Sequence, residues 1–483
     1  MRFTILITFL ASVLNVSGAF SASGSIDSLL SRTTPVQKSS KATRVYITQG
    51  LVKPDPIAFS PLFASKDAQT MGTQFLRVIQ KDLCGCGVFY ALDPASFLQR
   101  PEEIARDEPV LKAWRLIKAR FLVCGTAEAS GRNTALKIRV YDINRGVRVL
   151  AFSVEVSQEN WRKAAHMASD QIYSRLTGEK GMFNTRIAYI EAMPAKKQYN
   201  QNVNYLRQLR IMDQDGENIE EMTDGNHLVM SPQFSPDGKS LAYLLFKNIG
   251  KGRERHPVAH VYLMDVATKK IRPLLAQAHM EAISSANGYR PVTMTYAPRF
   301  SPDSKSVCFS LIIDGKSAIY TMNVSSGQIR RLTDHRAIDT SPAYSPDGKS
   351  IVFTSNRSGK EKIYLMDVNG SNVRRVTSGE GKYSQPVFSP RGDFIAFAKQ
   401  IGNQFYIGVV RPNGSEERLI IQGYLTENPC WSPNGRYILF VWQGSSRQKQ
   451  CLCKIDLTGL FMQTMAPGRE IRDCAWSPLL DVH

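Results

Sequence analysis

The tetrapeptide Ser-Pro-Asp-Gly, read with its flanks, recurs through the second half of this 483-residue chain at a nearly fixed period. The units are FSPDGKSLAY from Phe234, FSPDSKSVCF from Phe300, YSPDGKSIVF from Tyr344, FSPRGDFIAF from Phe388, WSPNGRYILF from Trp431 and the shortened WSPLL from Trp476. Their serines stand at 235, 301, 345, 389, 432 and 477, so the spacings are 66, 44, 44, 43 and 45. A period of about 40–45 residues built from short strands marks a β-propeller, in which each unit buries its faces only against its neighbours.

Each full unit carries four strand signals. After Ser341 they are PAYS, a Pro-Asp-Gly turn, SIVFTS, a turn at Asn356–Lys360, EKIYLMDV, the hairpin Asn369-Gly370, and NVRRVT. Pro presets φ in the first turn, Gly supplies its left-handed position, and Asn-Gly favours a two-residue hairpin. The last unit offers only the strand Asp473–Ser477. Its missing partners are found upstream in TRIAYIEA (185–192), YLRQLRIMD (205–213) and ENIEEMT (217–223). One C-terminal strand paired with three N-terminal ones gives six blades and leaves no open sheet edge.

Upstream of the ring the pattern changes. Arg2, the apolar run Phe3–Val16 and the small residues Ser17-Gly18-Ala19 read as a secretory signal peptide over residues 1–19. Residues 20–43 are rich in Ser, Thr and Lys and are expected to be a flexible mature N-terminus. From 44 to 178 strand and helix patterns alternate, which predicts an α/β domain. Strands are expected at RVYITQ, PIAFSPL, VFYALD, RFLVCGTAEA, ALKIRVYDI and RVLAFSVEVS, and helices over Asp67–Leu83, Pro109–Arg120 and Gln158–Thr177. Ser157 is the expected N-cap of the last helix and Gly178 its terminator. The propeller is expected over 181–483.

The formal charge of +19 points to an acidic partner or surface, and export makes nucleic acid an unexpected one. No later stretch is long and apolar enough for a membrane helix, and a monomer is expected. Eight cysteines form no evident framework. Cys84 and Cys86 are too close to bridge each other without strain, and Cys451 and Cys453 share one strand face. The set reads as mostly reduced, buried thiols, with one or two bridges as the alternative in an oxidising compartment.

Chemistry-bearing motifs are few. His256 and His260 with the nearby His279 lack a completing carboxylate or thiolate, so no metal or cofactor is expected. Asp213-Gln-Asp215-Gly216 lacks the distal bidentate Glu of a calcium loop and predicts a plain hairpin. A hydrolase would need a nucleophile elbow, yet G-x-S-x-G is absent and no span is left for an α/β-hydrolase domain. The repeated serines are turn residues, and no catalytic residue is expected.

The period breaks in one place. Relative to the unit from Ser345, the unit from Ser235 carries about 8 extra residues between its second and third strands and about 14 before the next unit. Both connections emerge on one face. The first holds Lys251, Arg253 and Arg255, which would steer an acidic partner electrostatically.

Two further segments make a resemblance specific: LTGEKGMFNTRIAYIEA (176–192), joining the two domains, and the tail CAWSPLL (474–480). With six SPDG-type blades behind an exported α/β domain, the chain over 44–480 resembles the TolB family of the Tol-Pal envelope system. The resemblance implies a non-enzymatic periplasmic protein that supports outer-membrane integrity and cell division. It also implies binding of a Pal-like peptidoglycan-associated lipoprotein at the propeller mouth, and of a TolA-like protein through the N-terminus. Carried onto this sequence, the mouth comprises His227, Met230, Ser231, Met294, Thr340, Ser341, Ser384, Gln385, Thr426, Glu427, Asn428, Arg472 and Asp473. A secreted propeller binding a small ligand or glycan, and a propeller-containing hydrolase, are the alternative readings.

Overall fold

The computed structural model describes residues 53–194, 205–249, 256–288, 292–334 and 336–480. The signal peptide, the N-terminal segment, the strand expected at Arg44–Gln49 and the basic stretch 250–255 lie outside the described residues.

The N-terminal sheet has the order Phe89–Ala91, Asp55–Phe59, Phe121–Ser130, Asn133–Asp142, Val147–Val156, with Phe63–Ala64 also pairing to Phe121–Ser130. Pairings of Asp55–Phe59 are parallel, and the last three strands form an antiparallel meander. Alternation along Asp55–Phe59 sends Ile57 and Phe59 to one face and Ala58 to the other. The first face packs against helices Gln69–Cys84 and Trp161–Thr177 through Phe75, Ile79, Ala168 and Ile172. On the second face lie Ile104 and Trp114.

Two helix expectations need correction. The span Pro109–Arg120 is helical only over Leu111–Leu116, and a separate helix Pro101–Arg106 precedes it. Pro101 sits in a first turn, where its missing N–H costs nothing. Gln99 Oε1 accepts from both Val110 N and Trp114 Nε1 and holds the break between the two. The long helix starts at Trp161 rather than Gln158. Asn160 Oδ1 accepts from Ser157 N at 2.8 Å, which closes residues 157–160 into a turn ahead of it. Gly178 ends the helix as expected, at φ 78° with its N–H on Ser174 O.

Among the described residues, six four-stranded antiparallel sheets follow. Blade 1 is Val229–Phe234, Ser240–Ile249, His256–Asp265 and Ile271–Pro273. The innermost strands of blades 2 to 6 are Val292–Phe300, Asp339–Tyr344, Lys382–Phe388, Leu425–Trp431 and Ile471–Trp476, and these six touch in sequence around the axis. In blade 6 the order is Ile471–Trp476, Arg186–Pro194, Tyr205–Asp213, Glu220–Glu221, so the first strand comes from the C-terminal end of the chain. Ser477 N donates to Arg186 O at 2.8 Å, Arg186 N donates to Ser477 Oγ at 2.8 Å, and Trp476 Nε1 donates to Thr185 Oγ1 at 2.9 Å.

The repeated turn explains its own sequence. Ser235 Oγ accepts from Ser240 N at 2.9 Å and donates to Asp237 Oδ1, which accepts from Lys239 N. Gly238 takes φ 71°. The unit SPRGD shifts its carboxylate two positions, to Asp393, yet Asp393 Oδ1 still meets Ser389 Oγ. The position released, Arg391, donates to Asn434 O in the next blade.

The N-terminal domain meets one end of the ring. Its contacts fall on the turns after the innermost strands and on the hairpins between third and fourth strands of blades 4 to 6. Glu179 pairs with Arg436 and Arg391, Tyr437 Oη donates to Cys86 O, and Phe461 packs on Gly87. Asp170 accepts from Phe183 N and Asn184 N and fixes the connecting segment. The opposite end of the ring carries the starts of the innermost strands and the two enlarged connections of blade 1.

Candidate partner-binding face

At that free end the innermost strands share an unusual backbone. Ser231, Ala297, Ser341, Gln385 and Asn428 hold φ between 51° and 57°, each directly before a proline, and each at a break in register with the second strand. Non-glycine residues seldom enter this region, and five in one ring mean that the fold over-determines the conformation. The bulge takes these residues out of the regular strand ladder.

Polar groups satisfy one another across the blades. Ser231 N donates to Asp473 Oδ2 at 3.1 Å, and Ser341 N to Ser310 Oγ at 3.1 Å. Gln385 and Asn428 are joined twice, by Gln385 Nε2 to Asn428 Oδ1 at 2.6 Å and Asn428 N to Gln385 Oε1 at 2.8 Å. Asn428 Nδ2 continues to Arg472 O at 3.3 Å.

Charge is concentrated beside this chain of bonds. Burial raises the Glu427 carboxyl to about 7, helped by the neighbouring Asp473 and opposed by Arg472 and Arg207. Asp473 is raised to about 6, again by burial, against its bond from Ser231 N and the charges of Arg207, Arg299 and Arg472. The mouth therefore carries carboxyls that change charge near neutral pH, beside arginines that do not.

The residues expected from sequence reach this face unequally. Met230, Ser231, Met294, Thr340, Ser341, Ser384, Gln385, Glu427, Asn428, Arg472 and Asp473 lie within the innermost strands themselves, and His227 stands exposed just before one. Thr426 is fully buried and Asp473 is only 3% exposed, with its carboxylate held by Ser231 N, so these two support the strands rather than offering a surface. Lys251, Arg253 and Arg255 lie outside the described residues. The first insert of blade 1 lengthens a hairpin, whose strands pair out to Ile249 and His256. The second folds into helix Gln277–Ala286, where His279 Nδ1 accepts from Ala276 N. His260 pairs with Leu245 in the lengthened hairpin, and its pKa is lowered by burial and by Lys247.

Sequence reasoning missed a second polar cluster, at the domain seam. The hairpin Asp213-Gln-Asp215-Gly216 forms as expected, but its carboxylates receive the Arg162 guanidinium, with Arg162 Nε to Asp213 Oδ2 at 3.0 Å. Gln214 Nε2 donates to Asp82 Oδ1 at 2.7 Å, and His166 Nδ1 meets Asp82 Oδ2 at the same distance. Donor atoms of His166, Asp213 and Asp215 all lie within 4.8 Å of one another. Arg162 already supplies the countercharge, so the arrangement is an ion-pair network bridging the domains. The available signal was the second acidic residue in a hairpin that needs only one.

Comparison with known proteins agrees with this architecture. The TolB amino-terminal domain matches residues 43–149, and the TolB beta propeller domain matches residues 173–480. The Tol-Pal system protein TolB of Pelagibacter ubique (strain HTCC1062) is 38% identical over 236 residues, 46% of this chain and 49% of that protein. The match thus spans about half the length of this curated relative. The crystal structure of TolB from Acinetobacter baumannii superposes with a TM-score of 0.73 at 25% identity, covering 88% of this chain and 97% of that one. Matched in both domains and in their order, the chain belongs to the TolB family.

Proposed function

We propose that this chain is a periplasmic interaction component of a Tol-Pal envelope system, binding a Pal-like lipoprotein at the free mouth of the propeller and a TolA-like protein through its N-terminal segment. In this role it supports outer-membrane integrity and cell division. The observation that carries the reading is the segregation of the two ends of the ring: one is occupied by the N-terminal domain, while the other presents strained backbone, Glu427 and a row of amides and hydroxyls braced from beneath by Asp473. Rigid, pre-positioned polar groups recognise a partner's polar surface at low ordering cost. The basic stretch with Lys251, Arg253 and Arg255 adds long-range attraction to an acidic partner, so reversing these charges slows association and flattens its dependence on salt.

The test is capture of the Pal-like lipoprotein from the same organism, with wild type against Thr340→Arg. Thr340 Oγ1 lies 3.3 Å from Ser341 Oγ at the mouth, and a guanidinium there would intrude on a docked partner. Binding by wild type and a loss of at least about tenfold in the variant are expected, equal to about 1.4 kcal/mol. Equal affinity of the two, or no binding by wild type, would overturn the assignment.

A further inference from the structure

The innermost strands carry a proline three residues before the repeat serine in five blades: Pro232, Pro298, Pro342, Pro386 and Pro429. In the closing blade this position is Cys474. Its thiol faces Cys430 of blade 5, with the two sulfurs 4.0 Å apart. Both residues are buried in the core between these blades, Cys430 8% and Cys474 3% exposed. Both thiols are free in this structure. We propose that Cys430 and Cys474 are an oxidisable pair whose disulfide clasps the C-terminal strand to blade 5.

The sulfurs sit on neighbouring strands of two packed sheets, and only about 2 Å of approach separates contact from a bond. Cys451 and Cys453 are nearer, at 3.6 Å, but lie two residues apart on one strand. Their α-carbons are then about 6.7 Å apart, at the limit for a bridge. Arg299, from blade 2, adds a fixed positive charge whose electrostatic neighbours include both Cys430 and Cys474. In the closed ring burial holds the Cys474 thiol well above its ordinary pKa against the Arg299 charge, so the attacking thiolate forms while the terminal strand is still open to solvent.

The oxidant class is a small or protein disulfide. The Cys430 thiolate attacks one sulfur of that disulfide and expels the other as a thiolate, giving a mixed disulfide. The Cys474 thiolate then attacks Cys430 Sγ and expels the second. Two electrons pass to the oxidant, which leaves as two thiols carrying the two protons. Burial in the finished ring keeps reagents out, so exchange is fast while the terminal strand is still unpaired and slow afterwards.

The full chain is refolded in glutathione with glutathione disulfide, alkylated, digested and mapped by mass spectrometry. The peptides holding Cys430 and Cys474 are expected as one cross-linked species that separates on reduction. The oxidised protein should melt about 3 °C or more above the reduced one. Cys430→Ser should leave Cys474 alkylated and abolish the difference. Should refolding fail, long exposure of the reduced native protein to glutathione disulfide gives the same readout. Recovery of both cysteines alkylated at equilibrium, or bridging of other pairs only, overturns the proposal.

Discussion

His166 Nδ1 lies 2.7 Å from Asp82 Oδ2, and this one contact joins the two long helices of the N-terminal domain directly beneath the propeller hairpin Asp213–Glu217. Burial alone would strip a proton from this imidazole. Asp82, with Asp215 and Asp213 behind it, outweighs burial and raises the pKa. Lys81, Arg162 and Arg186 pair with the carboxylates of this cluster, and the buried Lys454 faces Asp82 and Asp215.

A raised histidine pKa stabilises the folded state below the unfolded value of about 6.5, and that stability is lost as pH rises through the folded pKa. The melting temperature should therefore fall as pH rises above about 6.5. His166→Gln should be less stable at pH 6 and show a flatter profile, as read by thermal unfolding across that range. A variant retaining the wild-type slope would remove His166 as the cause.

Glu427 acts in the same pH range from the other end of the ring. Its carboxyl, raised to about 7, is neutral in both states below the unfolded value near 4.3, so its burial cost appears only as pH climbs toward 7. Glu427→Gln should therefore gain stability relative to wild type at pH 8 and show little difference at pH 4.5. Denaturant unfolding at the two pH values measures this directly, and equal offsets at both would contradict it.

Ring closure depends on Ile471–Trp476. Deleting residues 471–483 removes the inner strand of blade 6 and the bond from Trp476 Nε1 to Thr185, and exposes the edge of Arg186–Pro194. The truncated chain should aggregate and be cut readily by protease. Normal solubility and an unchanged melt would show that the ring closes otherwise.

Gly181 tests the connection between the domains. A β-carbon there would sit 2.1 Å from Asp170 Oδ1 and 2.7 Å from Asp170 Cα. Because Asp170 also holds Phe183 N and Asn184 N, it cannot move without releasing the linker. Gly181→Ala should cost about 1–3 kcal/mol in denaturant unfolding, the usual cost of overpacking. A loss near zero would mean that the linker relaxes freely.

The ring, its six units and the borrowed strands of blade 6 were legible in the sequence because each blade is specified locally. Period-two apolar patterns, Pro-Asp-Gly and Asn-Gly act over a few residues, and repetition makes them unmistakable. The helix Pro101–Arg106 was not legible, because six residues give too few turns for an apolar face to show.

What the tertiary structure decided was juxtaposition. Arg162, His166 and Asp82 gave no sign in the chain of meeting Asp213 and Asp215, since the contact exists only once a whole domain docks on the ring. Thr426 looks like its neighbours in sequence, yet the strand turns it inward while Glu427 stays at the mouth. Cys430 and Cys474 are 44 residues apart and come face to face because the last strand closes beside blade 5. Local sequence sets the repeat through short-range turn and strand preferences, and closing the ring brings distant side chains into one site.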